Sequence, residues 1–168
     1  MAVRLISYSY RFAEQIFNSR LSLKAEMESV VYSACSDLSL LTRPDFNKIL
    51  DEKFHECGWL RQAPVFPDDV EAYAKLDFMK DRVGVEVQFG HASFIGIDLL
   101  KFQIASYSNL NKIDFGVYIC TTKNFQKHLR NQYGLNWEGS LSFEKVRNYL
   151  PHIKSAIQVP VYLLGIDI

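Results

Sequence analysis

Asp77, Glu86 and Gln88 stand in a segment whose residue types could hold a hard cation: Asp77-Phe78-Met79-Lys80-Asp81-Arg82-Val83-Gly84-Val85-Glu86-Val87-Gln88-Phe89. In its second half Val83, Val85, Val87 and Phe89 alternate with Gly84, Glu86, Gln88 and Gly90, the period of a strand with one apolar and one polar face. A four-residue turn over Met79 to Arg82 would set Phe78 across from Val83 and Asp77 across from Gly84, so that Asp77 shares a face with Glu86 and Gln88. Gly84, without a side chain, is then expected to leave open space for an ion or a phosphate. Diagonal neighbours on a sheet lie roughly 7 to 8 Å apart, a span that two carboxylates bridge with one cation between them. Mg2+ bound in this way keeps some of its waters and accepts a substrate phosphate, which suits hydrolysis of a phosphodiester.

Other readings stay open at this level. A Glu and a Gln alternating with Val also describe any strand with one wet face, and Gln88 could be a solvated amide. His91, just beyond the strand, could touch a ligand, although a lone histidine is more often structural; His55, His128 and His152 have no nucleophile at a recognisable spacing. No Gly-rich phosphate loop or nucleophile elbow is present, so the sequence does not support ATP use or serine-hydrolase chemistry.

The surrounding elements read as an α/β or α+β arrangement. Ala2 to Ser9 suits a short strand or lead-in, Phe12 to Phe17 begins a helical pattern, and Leu23 to about Leu41 repeats apolar residues at three- and four-residue steps. Pro44 marks a boundary and Asp45 caps a helix through His55 that Gly58 ends; Pro64 and Pro67 make Trp59 to Asp69 an extended connection. Strands Tyr73 to Phe78 and Val83 to Phe89 form the hairpin. A helix from Ser93 to Tyr107 follows, apolar on most of its circumference, then a strand from Phe115 to Thr121. Asn124 to Arg130 is helix-like, Asn131 to Gly139 a loop, and Ser142 caps a helix from Phe143 to about Ala156 that Pro151 kinks or ends early. Val159 to Ile166 reads as a strand buried on both faces. This order predicts a mixed β-sheet flanked by α-helices.

Composition bounds the rest. A chain of 168 residues fits a single domain over 1–168, able to bury roughly 70% of its unfolded surface. With 48% apolar and 23% charged residues it reads as globular, and no apolar run approaches the roughly 20 residues of a membrane helix. Arg4 and Arg11 spoil any signal-peptide pattern, so a cytoplasmic location is expected. Cys35, Cys57 and Cys120 show no zinc spacing and read as core thiols. The formal net charge is zero, so affinity for a polyanion must come from charge gathered locally. One such stretch runs from Phe115 to Trp137, which lacks acids while carrying Lys123, Lys127, His128 and Arg130; a solvated helix face looks the same.

Asp77-Phe78, Lys80 and Val85-Glu86-Val87-Gln88-Phe89 resemble, in residues and spacing, the BglII and BstYI branch of restriction endonucleases within the PD-(D/E)xK nuclease superfamily, where glutamine replaces the usual lysine. Ile113-Asp114 before Gly116 to Thr122-Lys123, and Val159-Pro160-Val161 through Leu164-Gly165, are similar as well; Ala13-Glu14-Gln15-Ile16 matches more weakly. The resemblance covers about half the chain. It implies a restriction-endonuclease-like core and a type II enzyme: a homodimer that hydrolyses double-stranded DNA with Mg2+ and leaves 5′-phosphates, paired genetically with a cognate DNA methyltransferase. By residue, it implies that Asp77 and Glu86 bind the metal, that Val87 lends its backbone carbonyl, and that Gln88 takes the lysine position; Glu28 is the candidate for an assisting acid from an early helix.

The resemblance also implies a GATC-centred site. Members of the branch continue past their last matching strand with a segment that helps surround DNA, whereas this sequence ends at Ile168. The helix and loop from Lys123 to Trp137 are therefore expected to carry more of the reading, with Lys123, Lys127 and Arg130 on phosphates, His91 nearby, and Asn131, Gln132 and Asn136 able to contact adenine. The neighbouring alternatives are a nuclease of the same superfamily acting in repair or mobile elements, and a DNA-binding protein of this fold without activity.

Overall fold

The structure, a computed structural model, describes residues 2–67, 74–107 and 109–168. Six strands form one sheet in the order β1-β6-β5-β4-β3-β2: β1 (Arg4–Tyr10), β2 (Leu60–Pro64), β3 (Lys75–Lys80), β4 (Val83–Val87), β5 (Phe115–Thr121) and β6 (Val161–Asp167). β4, β5 and β6 run parallel, while β1, β3 and β2 pair antiparallel with their neighbours, so the sheet is mixed as expected. β5 and β6 are buried along their whole length, which is why they read as unbroken apolar runs.

Helices cover both faces. Side chains of α1 (Ala13–Asn18), α2 (Leu21–Ala34), α3 (Arg43–Glu56) and α5 (Lys123–Tyr133) join one core with Val85, Val117 and Leu164. On the other face α4 (Ile95–Tyr107) and α6 (Phe143–Tyr149) pack against Tyr118, Cys120 and Leu163. The upper core is rich in aromatic pairs, among them Phe46 stacked on Phe89 at 4.7 Å between centroids and Phe54 on Phe78 at 4.4 Å. Such pairs add about 0.5 to 1.5 kcal/mol beyond their buried area, and these two clamp α3 onto β3 and onto the segment that follows β4.

Several boundaries differ from the sequence expectations. α2 stops at Ala34, and Leu38–Leu40 form only a 3-10 turn capped by Asp37, so the helix predicted to Leu41 is shorter. α3 is capped by Thr42, whose hydroxyl accepts from the Asp45 N–H; Pro44 lies inside its first turn, a position that needs no N–H, and is not a boundary. The connection after Trp59 contains β2, an edge strand that tolerates Pro64 because, among the described residues, no strand pairs with its outer side. Tyr73 lies outside the described residues, and β3 runs from Lys75. β4 ends at Val87, before Phe89, and β6 spans Val161–Asp167. α5 is longer than predicted and closes on Gly134 in the left-handed region, whereas α6 ends at Tyr149 in a 3-10 turn around Pro151. Cys35 and Cys120 are core thiols, but Cys57 is half-exposed at the end of α3.

The hairpin is tighter than the sequence suggested. Asp81 and Arg82 both have positive φ, 47° and 63°, and alone form the turn, so Lys80 pairs with Val83, Met79 with Gly84 and Phe78 with Val85. Two left-handed residues in a row match the right-handed twist of the strands. Arg82 is braced there by Asp114 at 2.6 Å, and Arg20 reaches both Asp114 and the Asp81 carbonyl. Met79, not Asp77, therefore faces Gly84. A Cβ at Gly84 would come within 2.8 Å of Leu76 Cδ1 and 3.2 Å of Ile113, so this glycine allows close packing and leaves no opening for an ion.

Candidate active site

The shift of register by two residues preserves the alternation of faces, so Asp77 still lies on the side of Glu86. What frees its carboxylate is a local break in the sheet. The β2–β3 pairing skips Gln62 and Asp77, Gln62 has φ 49°, and Leu76 and Phe78 pack into opposite cores. β3–β4 pairing stops at Phe78 and Val85, and beyond it the Asp77 side chain accepts the Val87 backbone N–H at 2.8 Å. A cleft opens beside these groups, lined by Asn47 and Asp51 of α3, Gln62, Asp77 and Val87.

Glu86 is only 3% exposed and points under α4. Its Oε2 accepts from Lys101 Nζ at 2.6 Å, while Oε1 is buried with no donor in reach among the described residues. Lys101 also lies 3.2 Å from Asp98 Oδ1, and Asp98 Oδ2 accepts from Gln88 Nε2 at 2.8 Å and from the Tyr118 hydroxyl at 2.7 Å. The other end of the Gln88 amide accepts the Gly90 N–H at 2.8 Å.

The electrostatics follow from this crowding. Burial, reinforced by the charge of Asp77, pushes the Glu86 carboxyl up to about 8 even though Lys101 pulls it back. Burial also raises Asp77, opposed by the Val87 N–H, Lys101 and Gln62. Burial works against the charge of Lys101, but Glu86 and Asp98 outweigh it and hold the ammonium above its ordinary range. Tyr118 is raised by burial and then by Asp98, so it remains a donor.

The residues present fit a divalent cation. Three carboxyl groups, those of Asp77, Glu86 and Asp98, gather around the single Lys101 ammonium, and Glu86 Oε1 is a buried acceptor without a partner among the described residues. Among the described residues no three His, Cys, Asp or Glu side chains gather into a complete cage. That suits Mg2+, which is commonly held by one or two carboxylates with waters and substrate phosphate filling the remainder.

The sequence-predicted residues are thus partly brought together. Asp77, Glu86, Val87 and Gln88 converge. Glu28 does not join them: it lies 3.4 Å from the Tyr162 hydroxyl, beneath β6 on the opposite face of the sheet. Lys80 also turns to that side, bound to Glu26 and the Cys57 carbonyl. Asp98 and Lys101 were missed by the sequence reading, although they are the only charged residues in α4.

The proposed polyanion-binding residues are exposed and adjoin one another. Lys123, Lys127 and Arg130 border a shallow groove with Trp137 and Glu138. His91, whose Nδ1 accepts the Ser93 N–H, shares a second cleft with Lys123, Lys145 and Asn148, the last two not anticipated. The Leu141 N–H donates to the Gly90 carbonyl at 2.8 Å, tying this cleft to the end of β4. Asn131 and Gln132 are exposed at the far end of α5, while Asn136 uses its Oδ1 to accept the Glu138 N–H.

The whole arrangement has relatives. The family model "Restriction endonuclease BglII/BglIII" matches residues 5–166. Among solved structures, BglII restriction endonuclease complexed with a DNA 16-mer aligns with a TM-score of 0.72 and 19% identity, covering 98% of this chain and 78% of that one. Free BglII aligns at 0.62 and 20% identity, covering 98% and 79%. A sequence comparison with curated proteins finds no match. The chain belongs to the BglII/BglIII restriction endonuclease family and is a type II site-specific deoxyribonuclease.

Proposed function

We propose that Asp77, Glu86 and the backbone carbonyl of Val87 hold Mg2+ for the cleavage of double-stranded DNA, leaving 5′-phosphates. The observation that carries this reading is the buried Glu86 Oε1, without a hydrogen-bond partner among the described residues, within reach of the charge of the Asp77 carboxylate. A bound Mg2+ supplies charge neutralisation at the scissile phosphate and lowers the pKa of attacking water. The chain's own residues prepare that chemistry: the Val87 N–H fixes Asp77, Lys101 fixes Glu86, and the cleft between α3 and β3 admits the substrate edge. Gln88 has no titratable group and cannot take a proton from water; its amide is engaged by Asp98 and Gly90.

Lys123, Lys127 and Arg130 take DNA phosphates in this reading, with His91 at the same surface and Asn131, Gln132 and Asn136 as candidates for base contacts. Homodimerisation is favoured by an apolar stripe on the outer side of α4, where Ile97, Leu100 and Tyr107 recur at helical spacing and are exposed, continued by the exposed Phe94 of the 3-10 turn before it. Such a dimer would act in the cytoplasm beside a methyltransferase that protects host DNA. Among the described residues no helix is long and apolar enough to cross a membrane.

The test is incubation of the protein with plasmid DNA and Mg2+. Discrete fragments support site-specific cleavage. A smear would mean a nonspecific nuclease, and a shifted but intact band a DNA-binding protein without activity.

A further inference from the structure

Gln88 cannot supply an ammonium, and α4 brings one to the same carboxylate. Lys101 Nζ lies 2.6 Å from Glu86 Oε2 and 3.2 Å from Asp98 Oδ1. Asp98 is in turn fixed on its other oxygen by Gln88 Nε2 at 2.8 Å and the Tyr118 hydroxyl at 2.7 Å, and Gln88 is fixed by the Gly90 N–H. An unbroken chain of contacts therefore runs from Gly90 through Gln88, Asp98 and Lys101 to Glu86. Its members come from β4, from the segment that follows it and from α4, and Tyr118 of β5 braces it at Asp98, so several elements are tied to one carboxylate.

We propose that Lys101 is the positioning residue of Glu86, taking over from outside the Glu-x-Gln motif the ammonium that this motif lacks, and that Gln88 acts through Asp98 to aim it. A compact ammonium with three donors can hold two carboxylates at once. With Oε2 so occupied, the Glu86 side chain is pinned in the orientation that leaves Oε1 unpartnered. Outer partners of metal-binding groups fix ligand orientation in this way, and their loss costs about 10- to 100-fold in metal affinity or activity. The inference rests on the metal-dependent nuclease reading of the site.

Two measurements on the full chain test it. In the metal-free protein, nitrogen-15 NMR of lysine ammonium groups should show a slowly exchanging Lys101 signal. That signal should broaden in Asp98→Asn and Gln88→Ala and shift on addition of Ca2+. In single-turnover cleavage at saturating Mg2+, Lys101→Met should be about 10- to 100-fold slower, Lys101→Arg less impaired, and Gln88→Lys placed in the Lys101→Met background should recover most of the loss. A Lys101→Met variant that cuts at the parent rate overturns the proposal. So does a Lys101 signal indifferent to both Asp98→Asn and Ca2+. If the parent protein cuts no DNA with Mg2+ or Mn2+, the nuclease reading fails, while the NMR measurement still decides whether Lys101 is coupled to Glu86 and its cation.

Discussion

Lys101 Nζ and Glu86 Oε2 are 2.6 Å apart, yet this one ammonium does not offset the burial of Glu86 and the charge of Asp77, and the Glu86 carboxyl rests at about 8. Its ordinary value is 4.5, so between these two pH values the folded protein binds more protons than the unfolded chain. Stability is then fully present below about pH 4.5 and is lost as pH rises through 8, by up to ~1.4 kcal/mol per pH unit for one proton. Asp77, also raised, adds in the same direction. Chemical denaturation of the metal-free protein from pH 5 to pH 8 should show this decline, and Glu86→Gln should flatten it.

Gln88 contacts Asp98 and Gly90 through its two amide ends. Gln88→Ala removes a brace and leaves both acids proposed to bind the metal in place, so it should cost less in single-turnover cleavage than Asp77→Asn. Gln88→Glu would set a carboxylate against Asp98 at a position now bridged at 2.8 Å. That variant should be less stable than Gln88→Ala at pH 8 and recover relative to it at pH 5, where the added acid can be protonated. Equal stability of the two variants across this range would contradict the Gln88–Asp98 contact.

Lys123, Lys127 and Arg130 are exposed on the outer side of α5; among the described residues only Arg130 of the three forms a side-chain ion pair, with Glu138 at 3.9 Å, while Glu144 accepts the Lys123 backbone N–H. If they sit on DNA phosphates, each replacement by Ala should weaken binding to all sequences alike. It should also flatten the plot of log affinity against log salt by about one unit of slope. Unchanged slopes for all three would make this surface a solvated helix face.

Leu100 is 45% exposed and Ile97 60%, one helical step from the Asp98 and Lys101 side of α4. Leu100→Glu should shift sedimentation toward monomer and slow cleavage of both strands together, without lowering the melting temperature appreciably. A monomeric parent protein would remove the basis for this expectation.

The hairpin was legible because a strand's alternation survives a register shift of two, so Asp77 and Glu86 were assigned to one face from the correct pattern and an incorrect turn. The turn was hidden because Asp81 and Arg82 take left-handed conformations without the Asn-Gly or Asp-Gly pair that ordinarily signals them. Pro64 concealed β2, an edge strand in which a missing N–H costs nothing on the solvent side. Asp98 and Lys101 went unread for a different reason. Apolar periodicity describes where a helix packs, and the two charges in an otherwise uncharged α4 interrupt it without saying which carboxylate they will meet; that depends on how α4 crosses β4 and β5.

The central claim is that Asp77 and Glu86 jointly hold the cation that drives cleavage. Single-turnover cleavage of a DNA substrate by the parent, Asp77→Asn and Glu86→Gln, measured across Mg2+ concentrations and beside DNA binding in Ca2+, tests it most directly. Both variants should bind DNA nearly as the parent does, yet cut it several orders of magnitude more slowly at every Mg2+ concentration, because the loss falls on transition-state stabilisation. Parent-like turnover in either variant at saturating Mg2+ would contradict the account.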